Sequence, residues 1–370
     1  MDQEHVDCLV IPPSGTSAPY VGAASRYLTH VGGGGADVSA VFPLRREPAA
    51  IATEAGTWSS AQPWCTDLRE AEPSHATAVL EKLSEVGLRH HRIGIVGLDD
   101  GNVPAGFVDR LMSENPQIKW VDFTTQLDEI RGVKSRQEIA FLGRSAQIVD
   151  AAYDAATSAL HRGVSENGIW SAAVETLCRM GSELPIRTRW SSGISPGEPS
   201  ACVPTRPAES GWLFLTEMEA AWGGYRVRGA QPFAFGRPDP AYVELMKLEA
   251  EVWGKALHVL RPGLRLSDLD RHVQSVASRV AQTTGVLSDV TCELVVRGGG
   301  LGGDWPRLGG AKGPDQPTGD RELVPGVSFT LKAILRSEKR WIAWSDGVVI
   351  TERGARRLGS ADPALRLVDA

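Results

Sequence analysis

The sequence has no pair of cysteines at the spacing of a zinc knuckle or a redox motif. Its five cysteines are odd in number and none forms a Cys-x-x-Cys pair: Cys8, Cys65, Cys178, Cys202 and Cys292. A disulfide framework needs an even set of cysteines, and a zinc knuckle needs closely spaced thiols, so neither is supported. We expect reduced thiols and a cytoplasmic protein.

The chain also lacks long apolar runs and an excess of basic residues. No stretch approaches the roughly 18 consecutive apolar residues of a membrane span. The N-terminal segment MDQEHVDCLV has neither the basic nor the apolar region of a secretion signal. Because the net charge is -6, no basic stripe is evident that would neutralise nucleic-acid phosphates. The expected partner is a small-molecule substrate, with no nucleic acid and no membrane.

What the sequence does contain is enough material for two domains. Its 370 residues exceed the roughly 100 to 200 residues of one domain. Strand-like VSAVFPL, AAIAT and RIGIVGL alternate with helix-like ATAVLEKLSEVGL and VPAGFVDRLMSE in the first third, which is an α/β pattern. A long helical pattern follows Ser135, a predicted N-cap. We therefore predict domains at 1–133 and 134–370.

The second domain carries a weak internal repeat. A helical segment that ends in Leu-His-Arg-Gly at residues 160–163 is matched by one that ends in Leu-Arg-Pro-Gly at residues 260–263. A second helical segment and several strand-like runs follow each of them. Two pseudo-symmetric halves are predicted, with a cavity at their junction.

Several of these segments resemble the creatinase and Xaa-Pro aminopeptidase family. They are VKSRQEIAFLGRSAQIVDAA, LRPG near residue 260, VPGVSFTL at 324–331 and SDGVVITERGARRL at 345–358. The resemblance covers most of the chain. It implies an α/β (α+β) fold, in which a creatinase-like N-terminal α/β domain precedes a pita-bread domain with a pseudo-two-fold internal repeat. It also implies a homodimer.

The resemblance further implies five metal-ligand positions: two aspartates, a histidine in a glycine-rich loop and two glutamates on late strands. In this sequence those positions fall on Glu217, Arg228, Gly303, Lys332 and Ser345. Arginine and protonated lysine have no lone pair for a metal ion, and two cations beside a divalent ion would repel it. We therefore expect no metal and no other cofactor.

Glu217, Arg228 and Lys332 are the candidate catalytic residues. In one interpretation Arg228 and Lys332 hold a substrate carboxylate or oxyanion while Glu217 acts as general acid or base. A lysine in such a place could also have a lowered pKa and act as base or nucleophile. In the other interpretation the three form a buried salt-bridge cluster that fills a dead site.

Acidic, basic and aromatic residues near these positions are candidates for substrate binding. Two tryptophans suit a flat or cationic ligand but also suit an ordinary core. Two arginines suit an anionic group, or else form a solvated rim. The full set is Glu219, Arg189, Arg206, Asp304, Trp222, Trp344 and Asp346.

Two motif matches are set aside. The glycines at 298–303 fit a dinucleotide fingerprint, but DWPRLGGAKGPD follows them and cannot open the helix that binds a pyrophosphate. Ser195 fits a nucleophile elbow, but Pro196 and Pro199 block the helix that the elbow requires. Both segments are predicted to be loops.

The sequence therefore predicts a metal-independent enzyme, hydrolase-like or lyase-like, and not a functional metallopeptidase. It would act on a small polar or aromatic metabolite by acid-base chemistry, in C–N bond hydrolysis, elimination or cyclisation, and would serve a biosynthetic role. A non-catalytic protein that binds a ligand or another protein is the alternative. An Xaa-Pro aminopeptidase with unusual ligands is a third interpretation.

Overall fold

The computed structural model describes residues 1–13, 22–33, 36–57, 64–97, 103–184, 186–284, 290–302, 304–309 and 321–370. These residues fall into two units. The first holds residues 1–131 with Leu301 and Gly302, and the second holds residues 132–300 and 304–370. Within the described ranges, no helix is both long and apolar enough to cross a membrane.

A six-stranded mixed sheet forms the centre of the first unit. The elements are β1 (Cys8–Ile11), α1 (Ala23–Thr29), β2 (Val38–Pro43), β3 (Ala49–Ala52), β4 (Asp67–Glu70), α2 (His75–Glu85), β5 (Arg92–Ile95), α3 (Ala105–Glu114), β6 (Lys119–Asp122) and α4 (Thr124–Gly132). The strand order is β4-β3-β2-β1-β5-β6, with β1, β5 and β6 parallel. All residues of β1 and β3 are buried, as strands covered on both faces require.

A larger sheet and four long helices build the second unit. The helices are α5 (Arg136–Ser158), α6 (Glu166–Arg179), α7 (Pro240–Val259) and α8 (Leu266–Thr284). The strands are β7 (Arg187–Gly193), β8 (Leu213–Trp222), β9 (Tyr225–Ala230), β10 (Phe233–Phe235), β11 (Thr291–Gly298), β12 (Arg307–Leu308), β13 (Ser328–Ser337), β14 (Arg340–Thr351), β15 (Gly354–Arg357) and β16 (Arg366–Val368). The main strand order is β12-β11-β13-β14-β9-β8-β10-β16, while β7 pairs with β8 and β15 with β14.

The start of α5 shows why the helix begins where the sequence predicts. The side chain of Ser135 accepts a hydrogen bond from the backbone N–H of Glu138, and the carboxylate of Glu138 accepts one from the N–H of Ser135. This capping box satisfies two backbone donors that a helix leaves unpaired at its first turn. The prediction of Ser135 as N-cap is confirmed.

The predicted internal repeat appears as two matching turns. Gly163, after α5, has φ 81°, and Gly263, after α7, has φ 82°. A residue other than glycine rarely adopts such a conformation. The N–H of Gly163 donates to Ala208 O at 3.4 Å, and that of Gly263 donates to Leu323 O at 2.9 Å. A second helix follows each turn, so the two halves repeat the same local structure.

The four helices cover one face of the large sheet. The hydroxyl of Tyr153, on α5, donates to the carbonyl oxygens of Thr216 and Gly229 at 3.0 and 2.9 Å. The indole N–H of Trp253, on α7, donates to Leu331 O at 3.0 Å. These bonds fix the helices against β8, β9 and β13. The side chains that alternate with this packed layer point to the opposite face of the sheet.

Candidate functional site

One row of side chains crosses five strands of the large sheet. The register pairs Arg189 on β7 with Glu217 on β8, then Glu217 with Ala230, Ala230 with Ser345, and Ser345 with Lys332 on β13. Residues directly opposite each other in antiparallel strands point to the same face. We call this row the charged face, together with three residues two or four positions along the same strands: Glu219, Arg226 and Arg228.

The ionic side chains of the charged face form one connected chain. Lys332 Nζ donates to Glu217 Oε1, and Glu217 Oε2 lies 3.7 Å from Arg228 Nη1. Arg228 Nη2 donates to Glu219 Oε2 at 2.9 Å, and Arg226 Nη1 donates to Glu219 Oε1 at 3.3 Å. The structure therefore brings together all three predicted catalytic residues and Glu219.

The Lys332–Glu217 ion pair reaches across two intervening strands. Neighbouring strands lie about 4.8 Å apart, so the backbones of β13 and β8 are on the order of 14 Å apart along the sheet. Ala230 and Ser345 occupy the positions between them. The two long side chains therefore extend toward each other over Ala230 and Ser345.

Glu217 is a carboxylate at neutral pH. Burial acts to raise its pKa, but Lys332, Arg228 and Arg189 outweigh that effect and hold the pKa below the usual 4.5. A carboxylate accepts a proton before it can donate one. At neutral pH Glu217 can therefore accept a proton but has none to donate.

The residues of the charged face do not fit a dinuclear metal centre. Lys332 and Arg228 present N–H donors and no lone pair, and Lys332 already engages the carboxylate of Glu217. The predicted histidine position, Gly303, lies outside the described residues. Within the ranges that the structure covers, no three His, Cys, Asp or Glu side chains are grouped so that they could hold a metal ion.

Sequence reasoning did not identify Arg226 as a member of the site. It lies two positions from Arg228 on β9 and therefore on the same face, and it is buried against Glu219. The period of two along a strand was the signal that could have identified it. Arg189, which was predicted, lies opposite Glu217 and is exposed.

The structure corrects the placement of Trp344 and Asp346. They flank Ser345 on β14 and so point to the opposite, helix-covered face. The ring of Trp344 packs edge-on against Trp253 with a centroid distance of 4.4 Å. Asp346 Oδ2 accepts a hydrogen bond from Arg357 Nε at 2.9 Å. Neither side chain shares a face with Lys332.

Trp222 and Asp304 are also held elsewhere. Trp222 ends β8 on the helix side, where the guanidinium of Arg144 lies 5.3 Å from its ring centroid. Asp304 Oδ2 accepts a hydrogen bond from Lys134 Nζ at 2.9 Å, and both side chains are at most 2% exposed. Trp222 therefore belongs to the packing of α5, while Asp304 forms a buried ion pair.

Arg206 belongs to a separate polar cluster around Glu166. Arg206 Nε and the indole N–H of Trp190 each donate to the carboxylate of Glu166 at 2.8 Å, and the hydroxyl of Ser192 also donates to it. The guanidinium of Arg206 lies 4.8 Å from the ring centroid of Trp212. With Glu166 fully buried and paired, the cluster stabilises the fold around α6 and β7.

Glu249, on α7, is an ionisable residue that sequence reasoning did not single out. It is fully buried, and its Oε1 accepts a hydrogen bond from the backbone N–H of Trp344 at 3.3 Å. Its Oε2 has no partner in the described structure. Burial raises the pKa of Glu249 well above 4.5. The carboxyl lies on the helix-covered side of the sheet, away from the charged face.

Known proteins share both the sequence pattern and the fold. The family model for metallopeptidase family M24 matches residues 140–352. The Xaa-Pro dipeptidase of Pyrococcus furiosus is 24% identical over 289 residues, which are 77% of this chain and 78% of that protein. Since the family model covers more than half of the chain, the protein belongs to metallopeptidase family M24, as the resemblance implied.

Solved structures confirm the fold expectation. The X-Pro aminopeptidase from Thermotoga maritima superposes with a TM-score of 0.80 at 18% identity, over 99% of this chain and 97% of that one. The N-terminal domain of FACT complex subunit SPT16 from chickpea superposes with a TM-score of 0.69 at 14% identity, over 98% and 93%. At these identities the likeness establishes the pita-bread fold alone.

Proposed function

We propose that this protein is a metal-independent M24 enzyme that acts on a small polar or aromatic metabolite by acid-base chemistry. The observation that carries the proposal is the Lys332–Glu217 ion pair, which stands where the resemblance puts metal ligands. C–N bond hydrolysis, elimination and cyclisation each need a base and a cationic group for developing negative charge. Glu217, Lys332 and Arg228 supply both.

In the hydrolytic form of this chemistry, Glu217 takes a proton from water as the water oxygen attacks the carbonyl carbon of an amide C–N bond. As the C=O π bond opens, Lys332 and Arg228 stabilise the oxyanion that forms on the carbonyl oxygen. When the C–N bond breaks, the protonated Glu217 returns its proton to the leaving nitrogen. The carboxylate is then restored, so atoms and charges balance over the cycle.

A metabolite screen with a matched pair of variants tests the proposal. Wild type, Lys332→Met and Lys339→Met are dialysed against chelator and incubated with pooled small metabolites, and mass spectrometry follows consumption. Lys339 is exposed in the turn between β13 and β14 and serves as the control. We expect wild type and Lys339→Met to consume the same compound and Lys332→Met to lose that activity by a factor of about 100 or more.

Two outcomes would contradict the proposal. If Lys332→Met turned over the compound as fast as wild type, Lys332 would have no catalytic role. Stoichiometric manganese or zinc in the purified protein, with activity lost on chelation, would instead support the aminopeptidase interpretation.

A binding protein without catalysis is the second candidate. The observation in its favour is that Glu217 is engaged by both Lys332 and Arg228, as in a buried salt-bridge cluster that fills an inactive site. In that case Lys332→Met would change stability but no turnover would be found for any variant. A pull-down with purified wild type against Lys332→Met would then show whether the charged face binds a partner.

A further inference from the structure

Ser345, in the middle of the charged face, presents a buried hydroxyl that has no hydrogen-bond partner among the described residues. The residue is 5% exposed, and its Oγ makes no hydrogen bond within the part of the chain that the structure describes. Leaving a buried polar atom unpaired costs roughly 1–3 kcal/mol, so such atoms call for an explanation in native proteins. A bound ligand would supply the missing partner.

The strand register places this hydroxyl between Lys332 and Glu217, which form an ion pair. Ser345 stands directly opposite Lys332 and, through Ala230, in line with Glu217. Any group that reaches the hydroxyl from the charged face must therefore separate the two ionic side chains.

Two other cationic side chains lie near Glu217 and can pair with it when it separates from Lys332. Arg189 stands directly opposite it on β7, is exposed, and has no ion pair within 4.0 Å in the described structure. Arg228 Nη1 already lies 3.7 Å from Glu217 Oε2. A short rotation of the carboxylate away from β13 would exchange Lys332 for Arg189 and keep Arg228.

We infer that Lys332 and Ser345 form a subsite for a carboxylate group of the ligand, and that the carboxylate of Glu217 fills this subsite in the ligand-free protein. Ligand binding moves Glu217 from Lys332 to Arg189, while the ion pair with Arg228 is kept. This rests on the proposed function only in placing the ligand at the charged face.

Charge and geometry favour a carboxylate over an uncharged group. A ligand carboxylate replaces the charge that Glu217 withdraws from Lys332, whereas an uncharged group would leave the ammonium without a counter-ion. It also accepts a hydrogen bond from the Ser345 hydroxyl, which makes none to the residues that the structure describes. The exchange therefore conserves the ion pair and adds one hydrogen bond.

Binding of benzoate, with benzamide as its uncharged counterpart, tests the inference by isothermal titration calorimetry. Removing the internal competitor by Glu217→Gln should tighten benzoate binding by a factor of about ten or more, and leave benzamide binding unchanged. Adding Ser345→Ala to that variant should weaken benzoate binding by about tenfold, because one hydrogen bond to a charged group is lost.

Glu293→Gln is the matched control. Glu293 lies on β11, on the same face, and pairs with Arg336 at 2.8 Å rather than with Lys332. Its loss should not change benzoate affinity. The inference is overturned if Glu217→Gln binds benzoate no more tightly than Glu293→Gln, or if benzamide gains as much as benzoate. Should Glu217→Gln fail to fold, Glu217→Asp, whose side chain reaches less far toward Lys332, replaces it with the same expectation.

The titration requires no turnover, so its failure is separable from that of the proposed function. Tighter benzoate binding by Glu217→Gln, in a protein for which no reaction is found, would support the carboxylate subsite and contradict the proposed enzymatic function. Turnover that depends on Lys332, without tighter benzoate binding by Glu217→Gln, would support the proposed enzymatic function and contradict the carboxylate subsite.

Discussion

Glu217 and Glu249 are both buried carboxyls on the large sheet, but their pKa values move in opposite directions. Glu217 lies on the charged face among Lys332, Arg228 and Arg189, and its pKa falls below 4.5. Glu249 lies on the helix-covered face with one backbone N–H donor, and its pKa rises well above 4.5. Burial acts on both in the same sense, so the neighbouring charges decide the outcome.

This contrast separates a face arranged for ionic chemistry from a face arranged for packing. On the charged face, cations of β9 and β13 pair with two glutamates of β8. On the other face Glu249 stands among the apolar residues that join α7 to β14, such as Trp253 and Trp344. Burial among these residues favours the protonated form of this carboxyl.

The largest expected effect comes from Lys332→Met, which makes the surroundings of Glu217 more like those of Glu249. Breaking a buried ion pair on one side costs about 3 kcal/mol, and we expect a loss of that order in the free energy of unfolding at pH 7. The loss should shrink as pH falls below 4.5, because the wild-type pair loses its contribution when Glu217 takes up a proton. Urea unfolding at several pH values measures both.

The double variant Lys332→Met with Glu217→Gln provides the control. With no carboxylate left unpaired, it should recover most of the stability that Lys332→Met loses. If the single and double variants are equally unstable at pH 7, the loss comes from packing rather than charge. In that case the neighbouring charges would not account for the difference between Glu217 and Glu249.

A smaller effect with the opposite sign is expected for Glu249→Gln. As pH rises above 4.5, the folded wild type holds the Glu249 proton that the unfolded chain releases, and it loses stability. One pKa unit corresponds to about 1.4 kcal/mol. The variant does not titrate, so its stability relative to wild type should increase between pH 5 and pH 8 by about 1 kcal/mol or more. Glu251→Gln, which removes an exposed carboxylate from the same helix, should show no such trend.

The sequence predicted the fold and the residues of the ion-pair chain other than Arg226. Capping by Ser135, the repeated turns at Gly163 and Gly263, and the family resemblance all follow from local patterns that the structure keeps. Glu217, Arg228 and Lys332 were predicted to lie in one site because the resemblance assigns them to it, and the structure brings them together. The sequence pattern was sufficient where contacts are local or the family fixes the position.

The features of the site that the sequence did not predict depend on which face of the sheet a side chain occupies and on which helix packs against that face. Trp344 and Asp346 were grouped with Lys332, although alternation along β14 sends them to the face opposite Ser345. Glu249 could not be recognised from the sequence, since a glutamate on an amphipathic helix is most often solvated. Its burial follows from how α7 packs on β14, which local sequence does not determine.

The smallest expected effect is that of Arg189→Gln. It tests how much an exposed cation contributes to the difference between Glu217 and Glu249. Arg189 helps to lower the pKa of Glu217 but is solvent-exposed, so its charge is screened. We expect a loss below about 1 kcal/mol in low salt, vanishing in high salt. Arg187→Gln, opposite Glu219 on the same strand, is the matched control. A loss as large as that of Lys332→Met would mean that Arg189, and not Lys332, is the main counter-ion of Glu217.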